Sequence, residues 1–373
     1  MALSGQQIAV AGGGVGGLAV ARALALGGAQ VTLYEQAPAI EEVGAGLQIS
    51  PNGMRVMKAL GLAEVLCGTS VRGAGVVLRD GLTGRPVLSM DLGRASGAYL
   101  FVHRARLIEV LERGARDAGV MIRLGARRAP GASGLTVAAD GLKSLHRAQL
   151  NPDETPHFTG QVAWRAIIHD PGAAPVAEVF MGPGRHLVSY PLARGLRNIV
   201  AVEERAGWAE EGWHYDDDPT IVRSAFAAFA EPVHTWLSRV ESVNLWGLFR
   251  HPVAARWYGG GAVLLGDAAH PTLPFLAQGA NLALEDAAVL AAALGRFDGA
   301  RALDVYQTLR EQRVNRVIDA ATANATNYHL RGAARRAAHA ALWLGGRLAP
   351  NAAMRRFNWL YDYDATVVVD RDR

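Results

Sequence analysis

The order of apolar and polar positions near the start of the chain predicts a strand, a glycine turn, a helix and a second strand. Apolar residues follow a strand pattern over 8–11, a helical period over about 15–26, and a strand pattern again over 30–34. A strand, a crossover helix and a second strand in this order form a βαβ unit, in which the two strands run parallel.

The rest of the pattern divides into short strands and long helices. Apolar runs split by turn residues over 73–99 predict antiparallel strands, and helical spacing returns over 104–118. A strand at 262–265 and a helix at about 281–294 come later, and the chain is then predicted to be mostly helical to about 348. Between these parts, four strand-like runs predict one sheet that forms a pocket wall: 162–168, 177–181, 186–191 and 198–202.

Composition narrows the class of protein. Half of the 373 residues are hydrophobic, enough for a substantial core. The 38 basic and 34 acidic residues are spread along the chain, so no nucleic-acid-binding surface is expected. The basic run 331–336 with His329 is interpreted as a solvated helix face rather than an anion or membrane patch.

The location and the single cysteine also follow from the sequence. The apolar stretches are too short for a transmembrane helix and the chain starts without a signal-peptide pattern, so a cytoplasmic location without membrane contact is expected. Cys67 excludes an internal disulfide and a cysteine-based metal cage, and we expect it to be a small buried residue. No metal site is expected.

The first strand leads into a glycine turn with GxGxxG spacing at Gly12, Gly14 and Gly17. The first glycine of such a turn permits its tight geometry, the second lets backbone approach a pyrophosphate, and the third allows close helix packing. A helix beginning at Val15 would direct its N–H groups and dipole toward the phosphate. Glu35 ends the second strand, where it can accept from ribose hydroxyls, so FAD or NAD is favoured over NADP.

A second strand-to-helix connection favours FAD over NAD. The run Gly266-Asp267-Ala268-Ala269-His270-Pro271 follows a strand, so Asp267 can hold another ribose or ribitol hydroxyl. Gly279, Ala280 and Asn281 open the next helix and offer backbone N–H groups to the edge of a flavin ring. A simple NAD dehydrogenase has no need of this second site, so bound FAD is predicted.

These elements describe an α/β fold whose domains are interleaved in sequence. We predict a Rossmann-like FAD-binding domain from 1–72, 100–155 and 256–300, a mixed β-sheet substrate domain from 73–99 and 156–255, and a C-terminal helical region from 301–373.

With these motifs, nearly the whole chain resembles the class A flavoprotein monooxygenases of the para-hydroxybenzoate hydroxylase fold. It is most similar to the branch that contains salicylate hydroxylase, 3-hydroxybenzoate 6-hydroxylase and 6-hydroxynicotinate monooxygenase. Besides the glycine motif and Glu35, the resemblance rests on 43–53, on His103-Arg104 with Leu107, on Asp140-Gly141 with Ser144 and Arg147, on 266–271, and on Trp359-Leu360-Tyr361 with Asp364.

The resemblance implies roles for further residues. Arg104 is expected to approach the flavin, Asp267 to bind its ribityl chain, and Asp140 to belong to a signature for both FAD and the nicotinamide cofactor. Val15, Gln48 and Pro274 are also expected beside FAD.

The resemblance also implies a reaction. NADH or NADPH is expected to dock only transiently, and reduced flavin to react with O2 to give a flavin C4a-hydroperoxide, whose terminal oxygen is transferred to an activated ring. The expected partners are therefore O2 and a small phenol or aromatic carboxylate. A homodimer is an expectation at the level of the family.

His186 and Tyr190 are the candidate catalytic residues. Strand residues alternate between faces, so His186, Val188 and Tyr190 should share one face. In similar hydroxylases a histidine and a tyrosine at this spacing face the substrate; histidine can take a phenol proton and tyrosine can orient the oxygen. The alternative is a surface histidine and a packed tyrosine.

Four other positions besides Gln48 are further candidates for the substrate pocket: Trp164, Arg165, Pro274 and Phe275. Trp164 and Arg165 could meet an acidic substrate or form an edge pair, and Gln48 could lie in the pocket near the flavin. Pro274 and Phe275 belong to an apolar wall that could hold the ring by stacking. Several relatives have a histidine at the position of Phe275, which argues against naming salicylate or 6-hydroxynicotinate as the substrate.

Two features leave alternatives open. His270 is interpreted as structural, orienting the turn before Pro271, although it lies within the flavin motif. The stretch between 124–125 and 139–141 is too short for the strand pair of relatives. Either a hairpin is lacking, which would expose an edge of the FAD-binding domain, or residues are missing from the sequence. The shortened stretch keeps a flavin-binding inactive remnant as an alternative to a hydroxylase. An FAD oxidoreductase with other chemistry is a second alternative, because a fold does not fix the reaction.

Overall fold

The computed structural model describes residues 3–40, 45–207 and 215–371. Residues 43 and 44 of the 43–53 motif lie outside this part of the chain. The described strands, in chain order, are β1 (Gln7–Ala11), β2 (Gln30–Glu35), β3 (Gly46–Ile49), β4 (Val71–Arg72), β5 (Gly75–Asp80), β6 (Pro86–Asp91), β7 (Leu100–His103), β8 (Met121–Leu124), β9 (Leu135–Ala138), β10 (His157–His169), β11 (Val176–Gly182), β12 (Arg185–Leu192), β13 (Leu196–Glu204), β14 (Tyr215–Asp217), β15 (Val243–Arg250), β16 (Tyr258–Gly259) and β17 (Ala262–Leu264).

The described α-helices are α1 (Val15–Leu26), α2 (Pro51–Ala59), α3 (Ala63–Gly68), α4 (Arg104–Asp117), α5 (Leu145–Leu150), α6 (Pro219–Ala225), α7 (Val233–Ser238), α8 (Gly279–Arg296), α9 (Gly299–Tyr328), α10 (Gly332–Leu348), α11 (Ala352–Arg355), α12 (Asn358–Tyr361) and α13 (Val368–Arg371). Together with the strands they form a mixed α/β fold, so the predicted fold class is confirmed.

A six-stranded sheet carries the nucleotide motif. Its strands lie in the order β16, β17, β9, β1, β2, β8, and every neighbouring pair is parallel except β16 with β17. The predicted βαβ unit is present as β1, α1 and β2. A side chain at Gly16 would collide with Leu265, which follows β17, and would press on Ala283 of α8, because α1 packs closely on both.

An eight-stranded sheet provides the second layer. Its order is β14, β15, β10, β13, β12, β11, β5, β6, and only β11 with β5 is parallel. One face packs on α6 and α7 through residues such as Trp164, Phe226 and Trp236. The opposite face, with Val202 and Trp246, packs toward Phe275. The two faces therefore have different neighbours, and the division into domains at the predicted boundaries stays a prediction.

Buried ion pairs connect the long C-terminal helix α9 to α8. Arg310 Nη1 lies 2.7 Å from Glu285 Oε2, and Arg310 Nε lies 2.7 Å from Asp286 Oδ1. Arg313 Nη2 adds a contact of 3.0 Å to Glu285 Oε1. Each charge has a partner, which is the condition under which buried charges are tolerated. These pairs hold α9 against the helix that begins at Gly279.

Two expectations were wrong, one about Cys67 and one about the basic run 331–336 with His329. Cys67 is exposed, because it lies on the outer side of the short helix α3. The basic run near 331–336 is not simply a solvated face: His329 is buried, and Arg335 forms an ion pair with Asp80 on β5. Acidic residues brought close by the fold, which sequence spacing does not show, account for this second difference.

The shortened stretch follows the strand β8. Among the described residues β8 pairs with β2 and forms one edge of the six-stranded sheet. Met121 and Leu124 of β8 are exposed apolar side chains at this edge of the sheet.

No helix in the described part of the chain is long and apolar enough to cross a bilayer.

Candidate active site

The glycine turn between β1 and α1 has the geometry of a phosphate site. Gly12 has φ of +103°, and a side chain there would collide with the carbonyl group of Ala139. A side chain at Gly17 would collide with the carbonyl group of Gly12. At Gly14, by contrast, a Cβ would meet no described atom within 4 Å. The first and third glycines are thus required by packing, whereas the second leaves room for a ligand at the N-terminus of α1.

Glu35 is fixed beside this turn. Its Oε2 accepts a hydrogen bond of 2.7 Å from the Gly13 amide, and its Oε1 accepts one of 2.8 Å from the Ala37 amide. Each carboxylate oxygen keeps a further acceptor position. Glu35 therefore remains able to accept from a ribose while it orders the glycine turn.

The loop after β17 is held from two directions. The Gly266 amide donates to Asp286 Oδ2 at 3.0 Å, and His270 Nε2 lies 2.6 Å from the same oxygen. Burial would raise the pKa of Asp286, but His270 and Arg310 lower it to about 2. Arg147 donates to the carbonyl oxygens of Ala268 and Ala269. His270 is buried in this network, in agreement with its interpretation as a structural residue.

The N-terminus of α8 faces a cavity that the glycine turn also borders. Gly279 and Ala280 line it, whereas the side chain of Asn281 is buried and turned toward β3. Asn281 Oδ1 accepts from the Ser50 amide at 3.0 Å, and its Nδ2 donates to the Gln48 carbonyl at 2.9 Å. Asn281 therefore ties the start of α8 to the strand that carries Gln48.

One cavity of about 310 Å³ runs through the site. Its size lies near the lower end of the range for small-molecule sites, and it is lined by both layers of the fold. The predicted site residues that line it are Gly14, Val15, Gln48, Arg104, Arg165, His186, Tyr190, Asp267, Pro274, Phe275, Gly279 and Ala280. Gly12, Gly17, Glu35, Asp140, Trp164 and Asn281 do not line it.

The eight-stranded sheet forms the far end of this cavity. His186, Val188 and Tyr190 all line it, so their predicted common face is confirmed. The pairing register continues the row from His186 through Val202 and Ala163 to Trp246. A second row runs from Val188 through Val200 to Arg165. The alternation of these strands thus brings polar side chains from β10 and β12 to one pocket.

The assignment of Trp164 to the pocket was wrong. Trp164 is buried on the opposite face of β10, where its Nε1 donates to Asp217 Oδ2 at 2.6 Å. Trp164 and Arg165 are adjacent in a strand, so only one of them can face the cavity. The tryptophan that lines the cavity is Trp246, and the guanidinium of Arg165 lies 4.3 Å from its ring centroid. Sequence reasoning did not single out Trp246, because alternation within β15 does not by itself show which of its faces borders the cavity.

His186 is buried between aromatic groups. Its ring centroid lies 5.6 Å from that of Phe275, and its Nδ1 lies 2.7 Å from Nε2 of His329. Burial lowers the pKa of His186 well below its ordinary value, and the neighbouring His329 adds to this shift. Burial raises the pKa of Tyr190, and the charge of Arg165 partly opposes the rise. Near neutral pH the site therefore holds a neutral imidazole and a protonated phenol.

Asp140 lies beside the glycine turn between β1 and α1. Its Oδ2 lies 2.8 Å from Nδ1 of the buried His146. The neighbours Ala139 and Gly141 line the cavity, and Gly141 has φ of +74°. The Asp140 side chain therefore supports the loop, while the backbone on either side of it faces the cavity.

These residues fit a long dinucleotide with a second ring system. The turn at Gly14, the N-termini of α1 and α8, and the side chains of Arg104 and Asp267 all border one cavity. Two helix N-termini and an open glycine position can accommodate the phosphates and the polar ring edge of FAD. The same cavity continues to His186, so a substrate can lie beside the bound ring.

Comparison with known proteins gives the same assignment. Residues 132–321 match a family model described as an FAD binding domain. The chain is 34% identical to 3-amino-4-hydroxybenzoate 2-monooxygenase PtnB3 from Streptomyces platensis, over 98% of both chains. It is 31% identical to 3-hydroxybenzoate 6-hydroxylase from Polaromonas naphthalenivorans, again over 98% of both. A structure of a Klebsiella pneumoniae HpxO variant with FAD matches with a TM-score of 0.80 and 25% identity, over 92% of this chain and 96% of that one.

Proposed function

Because the chain belongs to the class A FAD-dependent aromatic hydroxylases, we propose that it hydroxylates a small benzoate that carries a ring hydroxyl, using NADH or NADPH and O2. One observation carries the substrate class: a single cavity joins the flavin-binding turn at Gly14 to His186, Tyr190 and Arg165. Bound FAD would accept the hydride of the nicotinamide and activate O2, and the protein would supply the position and the proton chemistry.

The cofactor contacts are part of the proposal. We assign the pyrophosphate to the glycine turn and the N-terminus of α1, the ribose to Glu35 and the ribityl chain to Asp267. Arg104 and the start of α8 would border the flavin ring. The complete set of proposed cofactor residues is Gly12, Gly14, Val15, Gly17, Glu35, Gln48, Arg104, Asp140, Asp267, Pro274, Gly279, Ala280 and Asn281.

His186 is the proposed base for the substrate hydroxyl. Its lowered pKa keeps the imidazole neutral near pH 7, so it can accept a proton. Because Nδ1 already contacts His329, the proton would be taken by Nε2. Tyr190, whose pKa is raised, stays protonated and would donate a hydrogen bond to the same substrate oxygen. Removing the phenolic proton makes the ring electron-rich and ready for hydroxylation.

Arg165 is the proposed partner of the substrate carboxylate. It lines the cavity and stacks on Trp246, which fixes the plane of its guanidinium. A planar guanidinium can bind a carboxylate through two hydrogen bonds. Phe275 and Pro274 form the apolar wall against which the ring would lie. The names of both relatives described above include a hydroxybenzoate, which agrees with this polarity.

The test is a comparison of carboxylated and decarboxylated compounds. FAD-loaded protein would be mixed in air with NADH or NADPH and with 3-hydroxybenzoate, 4-hydroxybenzoate, 3-amino-4-hydroxybenzoate, phenol or 2-aminophenol, and each product would be analysed by mass spectrometry. We expect a benzoate to accelerate nicotinamide oxidation and gain one oxygen atom, and its decarboxylated counterpart to do so poorly. Acceleration without oxygen gain would favour an oxidoreductase with other chemistry, and no acceleration by any compound would favour an inactive remnant.

Two further expectations belong to the proposal. We place the reaction in the cytoplasm, where reduced nicotinamide cofactors are available and a single exposed thiol such as Cys67 stays reduced. We also propose a homodimer, which light scattering coupled to size-exclusion chromatography would test.

A further inference from the structure

Three side chains from distant parts of the chain form a line between the cavity and the surface. His186 Nδ1 lies 2.7 Å from His329 Nε2, and His329 Nδ1 lies 3.0 Å from Glu204 Oε1. Both histidines are buried, whereas the Glu204 side chain is 39% exposed. Glu204 also forms an ion pair with the exposed Arg331. A continuous hydrogen-bonded path thus leads from the proposed base to solvent.

The backbone fixes this line. His329 follows the last residue of α9, and its carbonyl accepts a hydrogen bond of 3.1 Å from the amide of Gly184 in the turn between β11 and β12. The carbonyl of Gly184 in turn accepts from the Glu204 amide at 2.9 Å. The elements that carry the three side chains are therefore tied to one another close to the line itself.

The carboxylate determines the direction of each hydrogen bond. An ionised Glu204 can only accept, so His329 must carry its proton on Nδ1. Neutral His329 then has an unprotonated Nε2, which can only accept, so His186 must carry its proton on Nδ1. The Nε2 atom of His186 is thereby left with a lone pair for a substrate proton. Gln161 Nε2 also lies 3.3 Å from His329 Nδ1, but its amide can rotate by half a turn and accept instead.

The charged groups around the line favour this arrangement. Arg331 and His329 lower the pKa of Glu204, despite its partial burial, so the carboxylate stays ionised. Burial, Arg331 and Arg185 lower the pKa of His329, although Glu204 opposes them, so His329 rests in its neutral form. Tyr328 is a further titratable group beside His186, and its raised pKa keeps it uncharged.

We propose that His329 and Glu204 form a proton relay that sets the tautomer of His186 and carries the substrate proton to solvent. The proposal rests on the proposed function of His186. When His186 Nε2 takes the phenolic proton, the proton on its Nδ1 passes to His329 Nε2. The proton on His329 Nδ1 then passes to Glu204 and from there to water. Each imidazole ring gains one proton on Nε2 and releases one from Nδ1, so no buried positive charge remains.

A measurement without substrate tests the tautomers. Nitrogen-15 NMR of histidine-labelled FAD-loaded protein distinguishes Nδ1–H from Nε2–H, and the signals can be assigned from His186→Ala and His329→Gln. We expect both rings to be protonated on Nδ1 near pH 7. In Glu204→Gln the amide can donate as well as accept, so both tautomers should appear for His329. Protonation of His186 on Nε2 in the unmodified protein would overturn the proposal.

Kinetics separate the relay from a structural role. Glutamine at position 329 can accept from His186 and donate to Glu204, but it cannot pass a proton. With the best compound of the benzoate panel, His329→Gln should lower kcat by roughly 10- to 100-fold and increase the solvent deuterium isotope effect, with KM and FAD affinity nearly unchanged. The matched control is His339→Gln, which replaces another buried histidine with a carboxylate partner, Asp80, and should leave kcat and the isotope effect unchanged.

The outcomes also distinguish this proposal from the proposed function. If the unmodified protein hydroxylates a benzoate and His186→Ala does not, but His329→Gln keeps full kcat and an unchanged isotope effect, the relay is wrong and the hydroxylase assignment stands. If no compound is hydroxylated, the proposed function fails, and the NMR tautomers still decide whether the line of hydrogen bonds exists as described.

Discussion

The two ends of the cavity are built in different ways. The proposed flavin end consists mainly of backbone: Gly14 in the glycine turn, and Gly279 and Ala280 at the N-terminus of α8. The substrate end consists of side chains that reach one pocket from separate strands, among them His186 on β12 and Arg165 on β10. A backbone site depends on a few neighbouring residues, whereas a side-chain site depends on the pairing register of a whole sheet.

This difference separates what each kind of substitution should change. At the flavin end, a side chain added to a glycine affects folding or cofactor binding. At the substrate end, a changed side chain affects the reaction but leaves the cofactor in place. Substitutions at both ends of the cavity test this separation, beginning with the largest expected effect.

The largest effect is expected from Gly17→Ala, which is compared with a substitution at Gly14 in the same turn. Gly17→Ala places a methyl group against the Gly12 carbonyl, and the chain cannot relieve this contact without separating α1 from the turn. We expect a loss of about 3 kcal/mol or more in the free energy of unfolding, with no detectable FAD binding. Thermal unfolding and flavin fluorescence titration measure both quantities.

Gly14→Ala is the matched control for Gly17→Ala. Its methyl group would point into open space, so the free protein should keep its stability. Because that space is proposed to hold the pyrophosphate, the Kd for FAD should rise about tenfold or more. Equal stability losses in the two variants would contradict the assignment of the second glycine to the ligand.

His186→Ala should reduce the reaction more than any other change at the substrate end. Loss of a general base lowers kcat by about 100-fold or more. The Kd for FAD should stay unchanged, since His186 lies on the sheet away from the glycine turn. A kcat near that of the unmodified protein, measured with the best benzoate of the panel, would show that His186 is only a packed residue.

Arg165→Met should affect one class of substrate. Methionine keeps much of the side-chain length but cannot bind a carboxylate, so KM for a benzoate should rise roughly 10- to 100-fold. KM for the matching phenol should change little. Arg205→Met is the control, because Arg205 stacks on Trp164 on the opposite face of the sheet. An equal rise for both substrates would indicate that Arg165 supports the pocket without contacting the carboxylate.

The pH dependence provides a smaller effect with a definite sign. Since the pKa of His186 is lowered, its neutral form persists below the ordinary histidine range, and kcat/KM should hold nearly constant from pH 8 down to about 6.5. In the unfolded chain the same histidine binds protons more readily, so stability should fall as the pH decreases below about 6.5. A loss of kcat/KM already near pH 7.5 would exclude His186 as the titrating base.

The same contrast explains how much could be predicted. The helix Val15–Leu26 and the face shared by His186 and Tyr190 follow from local periodicity, and the structure confirms both. The contact of His329 with His186, and so its proposed role, did not follow, because the two residues are 143 positions apart and no spacing rule connects them. Trp164 was misplaced for a related reason: alternation shows that it opposes Arg165, but only the register with β13 and β15 shows which one faces the cavity.

Two tryptophans on neighbouring strands offer the finest test of that register. Trp164→Phe removes the hydrogen bond to Asp217 and should cost about 1 kcal/mol of stability, with KM and kcat unchanged. Trp246→Phe shrinks the ring beneath Arg165 inside the cavity, so KM for a benzoate should rise a few-fold at similar stability. Kinetics and chemical denaturation of both variants measure the two effects. If Trp164→Phe changed KM and Trp246→Phe did not, the cavity would lie on the other face of the sheet, and the assignments of His186 and Arg165 would fail with it.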